Sequence, residues 1–110
     1  LTSISNANIK KIGHTRSIKD LVRKQTLLSK ACGCHGIVCS GSETKFVKKI
    51  FKKEIIVPGI RLKGDSVEDQ KRVSGPKKAF SNGATSIVIG RSITKNNIKK
   101  NIKRLIKELK

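Results

Sequence analysis

The chain of 110 residues has no methionine, tryptophan or tyrosine, no tryptophan ring to stack on, and only three phenylalanines. Surfaces that bind single-stranded nucleic acid interleave aromatic rings with basic side chains, and this composition cannot supply the rings. No apolar run approaches the length of a membrane span, and no signal-peptide pattern is present. Starting at Leu1 and holding no methionine, the chain reads as a piece of something longer. Acidic residues are scarce: 7 Asp and Glu stand against 26 Lys and Arg, for a net charge of +19. Such a charge suits a binder of phosphate polymers through counterion release. However, lysine far outnumbers arginine, isoleucine and asparagine are also frequent, and the lysines are spread along the chain. That pattern fits an A+T-rich coding sequence as well, so nucleic acid is not the expected partner.

Three cysteines, Cys32, Cys34 and Cys39, are an odd count with no secretory signal. Reduced thiols and a cytoplasmic location are the expectation. Cys32-Gly33-Cys34-His35 has the residue types of a zinc cluster, but Cys-x-Cys is tighter than the usual ligand spacing. Cys39 moreover belongs to the apolar run Gly36-Ile37-Val38-Cys39-Ser40, which reads as a strand. Buried structural thiols and no metal are expected.

The most informative stretch is Ser86-Ile87-Val88-Ile89-Gly90-Arg91-Ser92-Ile93-Thr94. A short β-branched run of this kind predicts a strand buried on both faces. It ends in Gly90, which lets a backbone approach a ligand closely, and Arg91, whose guanidinium forks onto phosphate or carboxylate. A second ending of the same kind is Ile55-Ile56-Val57-Pro58-Gly59-Ile60-Arg61. Two buried strands, each followed by Gly and then Arg, predict an anion site at one rim of a parallel sheet.

The remaining elements follow from periodicity and caps. Ile4 to Thr15 predicts a short helix and loop. Ser17-Ile18-Lys19-Asp20 has capping-box form, and Ile18, Leu21, Val22, Leu28 and Ala31 continue at helical spacing toward a stop near Gly33. A strand over Ile37–Cys39 precedes Ser40-Gly41-Ser42-Glu43, a turn that should also cap the next helix. That helix places Phe46, Val47, Ile50 and Phe51 on one face and lysines around the other. A strand over Ile55–Val57 comes next. Arg61 to Ser74 is a long polar loop, of a kind more often functional than idle inside a compact domain. Gly75-Pro76 opens a helix with proline at its first position, ending at Asn82-Gly83. After the strand Ile87–Ile89, a last helix carries Ile98, Ile102, Leu105, Ile106 and Leu109 opposite Lys99, Lys100, Lys103 and Lys107. It reads as an outer helix packed on the sheet rather than one lying on a membrane. Repeated βα units predict a parallel α/β sheet. Their spacing suits a (β/α)8 barrel, which needs about 250 residues when complete. Residues 1–110 would then form one partial domain, the C-terminal half of the barrel.

The ordered set Pro58-Gly59-Ile60-Arg61, Gly64-Asp65, Asp69-Gln70-Lys71-Arg72, Pro76, Ala79 and Ile87-Val88-Ile89-Gly90-Arg91-Ser92-Ile93-Thr94 resembles the orotidine 5′-phosphate decarboxylases. Leu1-Thr2-Ser3 and Gly36-Ile37-Val38-Cys39-Ser40 resemble the bacterial form of that family, so the resemblance runs along essentially the whole chain. It implies a TIM barrel that removes CO₂ from orotidine monophosphate to give UMP in pyrimidine biosynthesis. It also implies no metal or organic cofactor, and a homodimer with sites at the subunit interface. Arg61, Gln70 and Arg91 would hold the substrate phosphate, helped by the backbone of Gly90 and Arg91. Thr2 would sit at the pyrimidine end, and the Arg61–Arg72 loop would be a lid. The family's Asp-x-Lys-x-x-Asp motif, which carries the chemical step, does not occur here, so no catalytic residue is assigned. The chain also departs from the family pattern in having Leu62 after Arg61 and Ser92 after Arg91, where proline is usual. The alternatives are another phosphate-binding barrel, such as a sugar-phosphate decarboxylase or isomerase, or a small basic nucleic-acid-binding protein.

Overall fold

The computed structural model describes residues 1–65 and 73–110. Their elements run in the order α1 (Asn6–Lys11), α2 (Ile18–Ala31), β1 (Gly36–Val38), α3 (Thr44–Ile50), β2 (Glu54–Val57), α4 (Pro76–Ser81), β3 (Ser86–Ile87), α5 (Arg91–Thr94) and α6 (Ile98–Leu109). Local chemistry sets most boundaries. Ser17 Oγ accepts the Asp20 N–H at 3.2 Å and donates to Asp20 Oδ2 at 2.8 Å, so the box before α2 closes between side chains. Gly33 and Gly83, just past α2 and α4, adopt φ of +72° and +108°, the left-handed turn that glycine makes without a Cβ penalty. Pro76 opens α4, where its missing N–H has no helical partner to lose.

The three strands form one parallel sheet in the order β1-β2-β3. Ile37 pairs with Ile55, and Val57 with Ile87. Parallel strands need long crossovers, and here α3 joins β1 to β2 while α4 lies between β2 and β3. Thr85 extends the contact on one side of β2. Its hydroxyl accepts the Ile55 N–H at 2.9 Å and donates to the Ile55 carbonyl at 3.1 Å.

Side chains alternate along each strand, and the two faces of the sheet differ sharply. Ile55 and Val57 are fully buried, in a core with Val47, Phe51, Ala79 and Ala84. On the opposite face Val38 and Val88 are 60% and 52% exposed. The expectation of strands buried on both faces is therefore corrected. In the described residues, helices cover only the face that carries Ile55 and Val57. Three further expectations change. The third strand is shorter than Ile87–Ile89, although Val88 still donates its N–H to the Val57 carbonyl at 2.9 Å. Helix α6 packs mainly on α4 and α5 rather than on the sheet, leaving Ile98, Ile102 and Ile106 partly in solvent. Cys32 and Cys34 are exposed, and only Cys39 is buried, with its Sγ 3.7 Å from Thr44 Oγ1. Among the described residues no three His, Cys, Asp or Glu side chains come together as metal donors.

The asymmetry of the sheet gives a direct expectation for stability. Ile55→Ala, on the covered face, should cost about 2–5 kcal/mol by lost transfer energy and cavity formation. Val38→Thr, on the open face, should change stability by about 0.5 kcal/mol or less. Urea unfolding of the two variants of this chain measures the difference, and equal losses would show that the open face is covered in solution.

Candidate functional site

The site is built from the loops that leave β2 and β3. After β2, Gly59 turns the chain with φ +73°. Ile60 is then fully buried and forms a parallel bridge to Ser74. Arg61 donates its backbone N–H to the Ser74 carbonyl at 3.1 Å, which fixes the root of its side chain. The loop after β1 presses against the same point. A Cβ on Gly41 would lie 2.5 Å from Ser74 Cβ, so only glycine fits there. The Glu43 carboxylate in this loop accepts the hydroxyls of Ser40 and Ser42 and does not cap α3 through its side chain, which corrects the capping expectation for this turn.

After β3, Gly90 precedes the single turn α5. Its carbonyl accepts the N–H groups of Ile93 at 2.9 Å and Thr94 at 3.1 Å. A Cβ at Gly90 would meet nothing within 4 Å, so its surface stays open to a ligand. Arg91 is the first residue of α5. Arg61 and Arg91 both line a cleft of about 260 Å³, with Asp65, Lys95 and Arg104 also on its wall. Four cationic side chains against one carboxylate make this cleft a place for an anion.

Helix α6 ties the two loops together. Arg104 Nη2 donates to Asp65 Oδ1 at 2.8 Å and to the Lys63 carbonyl at 2.9 Å. Glu108, one turn on, accepts the Lys63 N–H at 2.8 Å. Asn101, one turn back, donates to the carbonyls of Ile93 at 3.1 Å and Lys95 at 2.7 Å. The loops also meet directly, where the Leu62 N–H donates to Ser92 Oγ at 3.4 Å. The hydrogen bond from Arg104 holds the Asp65 carboxyl below the usual carboxylate range. The Ser92 hydroxyl and the charges of Arg104 and Arg61 add to this, against an opposing contribution from burial.

The sequence-derived residues fall into three groups. Arg61 and Arg91 share the cleft, with Gly90 at the entry to α5. Thr2 lines a separate cleft of about 290 Å³ beside β1, together with Ser40 and Glu43. Gln70, and the 66–72 part of the expected lid, lie outside the described residues. Asp65, Asn101 and Arg104 were not singled out as site residues; the contact of Asp65 with Arg104 joins positions far apart in the chain, and that of Asn101 needs the turn after β3 to be placed. One local hint existed in Asn101, a residue that disfavours helix interiors yet sits amid the isoleucines of α6.

Because the folded-state pKa of Asp65 is depressed, its ionised form contributes stability above the unfolded carboxylate pKa of about 3.9. That contribution is lost as pH falls through the lower folded value. Asp65→Asn should therefore be less stable than the parent at neutral pH, by about 1 kcal/mol or less for a pair that solvent still partly screens. The two unfolding curves should converge on acidification below about pH 4. Thermal unfolding across that range checks the sign.

The family model described as "Orotidine 5'-phosphate decarboxylase / HUMPS family" matches residues 1–105. The orotidine 5′-phosphate decarboxylase of Buchnera aphidicola subsp. Schizaphis graminum is 47% identical over 104 residues, covering 91% of this chain and 44% of that protein. The enzyme of the same name from the Wolbachia of Brugia malayi is 44% identical over 108 residues, covering 96% and 48%. The crystal structure of orotidine 5′-phosphate decarboxylase from Lactobacillus acidophilus superposes with a TM-score of 0.75 at 26% identity, over 99% of this chain and 46% of that one. The chain thus spans about half the length of the curated relatives it matches. With a family model matched along nearly its whole length, and a parallel sheet that superposes on a solved decarboxylase, the chain belongs to the orotidine 5′-phosphate decarboxylase / HUMPS family.

Proposed function

We propose that this chain supplies the phosphate-binding half of an orotidine 5′-phosphate decarboxylase, a carbon–carbon lyase that releases CO₂ from orotidine monophosphate and leaves UMP. The observation that carries the reading is the convergence of Arg61 and Arg91 on one cleft, from the ends of two adjacent parallel strands. The C-terminal ends of strands are where barrels of this class place their sites, with phosphate at the loops after the last two. Each guanidinium offers a planar fork that matches phosphate oxygens. The family description also covers a second activity, but the curated relatives named above are orotidine 5′-phosphate decarboxylases, which favours the nucleotide substrate.

The phosphate of the substrate lies away from the bond that breaks. Binding it here would hold the nucleotide by a remote group, and that binding energy would orient the carboxylate at the reacting end. In this reading Gln70 is a further phosphate donor and Thr2 faces the pyrimidine. The residues of the chemical step lie in another part of the enzyme, so the 110-residue chain should not turn over substrate by itself. The complete enzyme works as a cytoplasmic homodimer without cofactor or nucleic acid. Among the described residues no helix is long and apolar enough to cross a membrane.

Calorimetric titration of the chain with UMP and with uridine tests the assignment. UMP should bind the more tightly, and Arg91→Ala should weaken UMP by about 10- to 100-fold, the value of one or more charge-assisted hydrogen bonds. Uridine affinity should stay unchanged. Equal affinity of the parent chain for UMP and uridine would remove the assignment. Strongly salt-dependent binding of duplex DNA in its place would favour the basic-protein reading.

A further inference from the structure

We infer that Asp65 and Arg104 are positioning residues for phosphate recognition: their ion pair locks the Arg61 loop onto α6, while Asn101 on the same helix locks the Arg91 turn, so that α6 sets how far apart the two arginines stand. This inference rests on the phosphate-site reading above.

Asn101, Arg104 and Glu108 follow one another at steps of three and four along α6. Residues three and four apart share one side of a helix, and these three side chains are also the ones that reach the loops. Arg104 and Glu108 hold the two sides of one peptide segment, since Arg104 bonds the Lys63 carbonyl and Glu108 takes the Lys63 N–H. Arg104 also holds Asp65, two residues along from Lys63, at 2.8 Å. Asn101 takes two carbonyls at the C-terminal end of α5, the turn that Arg91 opens. Arg104 Nη1 further donates to Asn101 Oδ1 at 3.3 Å, which joins the two anchor points into one network. Helix α6 therefore lies behind both loops and holds each through side chains, beyond the backbone bond that ties Arg61 to Ser74.

Asp65 is otherwise hard to reconcile with the cleft. It is a carboxylate on the wall of an anion site, where its charge repels the ligand, and its Oδ2 is buried with no hydrogen-bond partner among the described residues. A negative charge in that place costs anion affinity unless its placement of the cationic groups more than offsets the repulsion. Separations of ligating groups matter, because paired donors match phosphate oxygens only in a fixed geometry, and a misplacement of about 1 Å can cost about 100-fold in rate.

The sign of one substitution separates positioning from simple charge. Asp65→Asn removes a negative charge from an anion site. If Asp65 acts only through its field, UMP should bind the variant more tightly. If it positions the loop, UMP should bind about 10-fold more weakly, with uridine affinity unchanged. Arg104→Lys keeps the cation but cannot make the same set of bonds, and it should weaken UMP in the same direction by a smaller factor. It carries the test alone should Asp65→Asn fail to fold, which circular dichroism would report. The experiment is calorimetry of the full chain and both variants with UMP and uridine at constant ionic strength. Weaker UMP binding with uridine unchanged supports the inference. Unchanged or tighter UMP binding by the variants overturns it and leaves the phosphate site standing, whereas a parent chain that does not prefer UMP to uridine removes both.

Discussion

Parallel pairing of β2 with neighbours on both sides is the constraint on which the rest of the chain depends. Strands that run the same way cannot be joined by tight turns, so each return must travel across the sheet as a helix. In this chain the covering helices gather over Ile55 and Val57, and the face with Val38 and Val88 stays open. The same constraint puts the loops after successive strands at a common end. Arg61 and Arg91 reach one cleft because they follow neighbouring strands, although they are far apart in the sequence.

Charge has a different standing in the two parts of the molecule. Most of the lysines on α3 and α6 are in solvent, where a single charge adds little to stability. In the cleft the cations converge, and one carboxylate among them is held ionised by Arg104. The net charge of +19 is spread over the whole surface, whereas the charge of the cleft comes from a few placed side chains. The distinction lies in geometry: a guanidinium fixed at its root presents its donors at less cost in side-chain entropy than a mobile lysine does.

Local signals read well from the sequence. The helix beginning after Ser17, the left-handed stops at Gly33 and Gly83, the proline that opens α4 and the three strand cores all follow from caps, turns and β-branched runs. The family was legible too, because its motifs are short and tied to strand ends. Exposure was not. Ile87-Val88-Ile89 is apolar throughout, and periodicity alone does not say whether anything covers its second face. The polar face of α6 was equally opaque. Its bonds to Lys63 and Asp65 join residues about forty positions apart, and nothing in the local pattern of Arg104 or Glu108 marks a partner at that distance.

The bond between Leu62 and Ser92 ties together what each position can hold. Each residue stands immediately after one of the two arginines, at a position where the family resemblance has proline. Proline at 62 would have no N–H to give, and proline at 92 would have no hydroxyl to receive one. Placing proline at 92 alone would strand a buried N–H at Leu62, which is itself almost wholly enclosed. The two positions are therefore chemically coupled: which residue is tolerated at one depends on whether the other gives or takes a hydrogen bond.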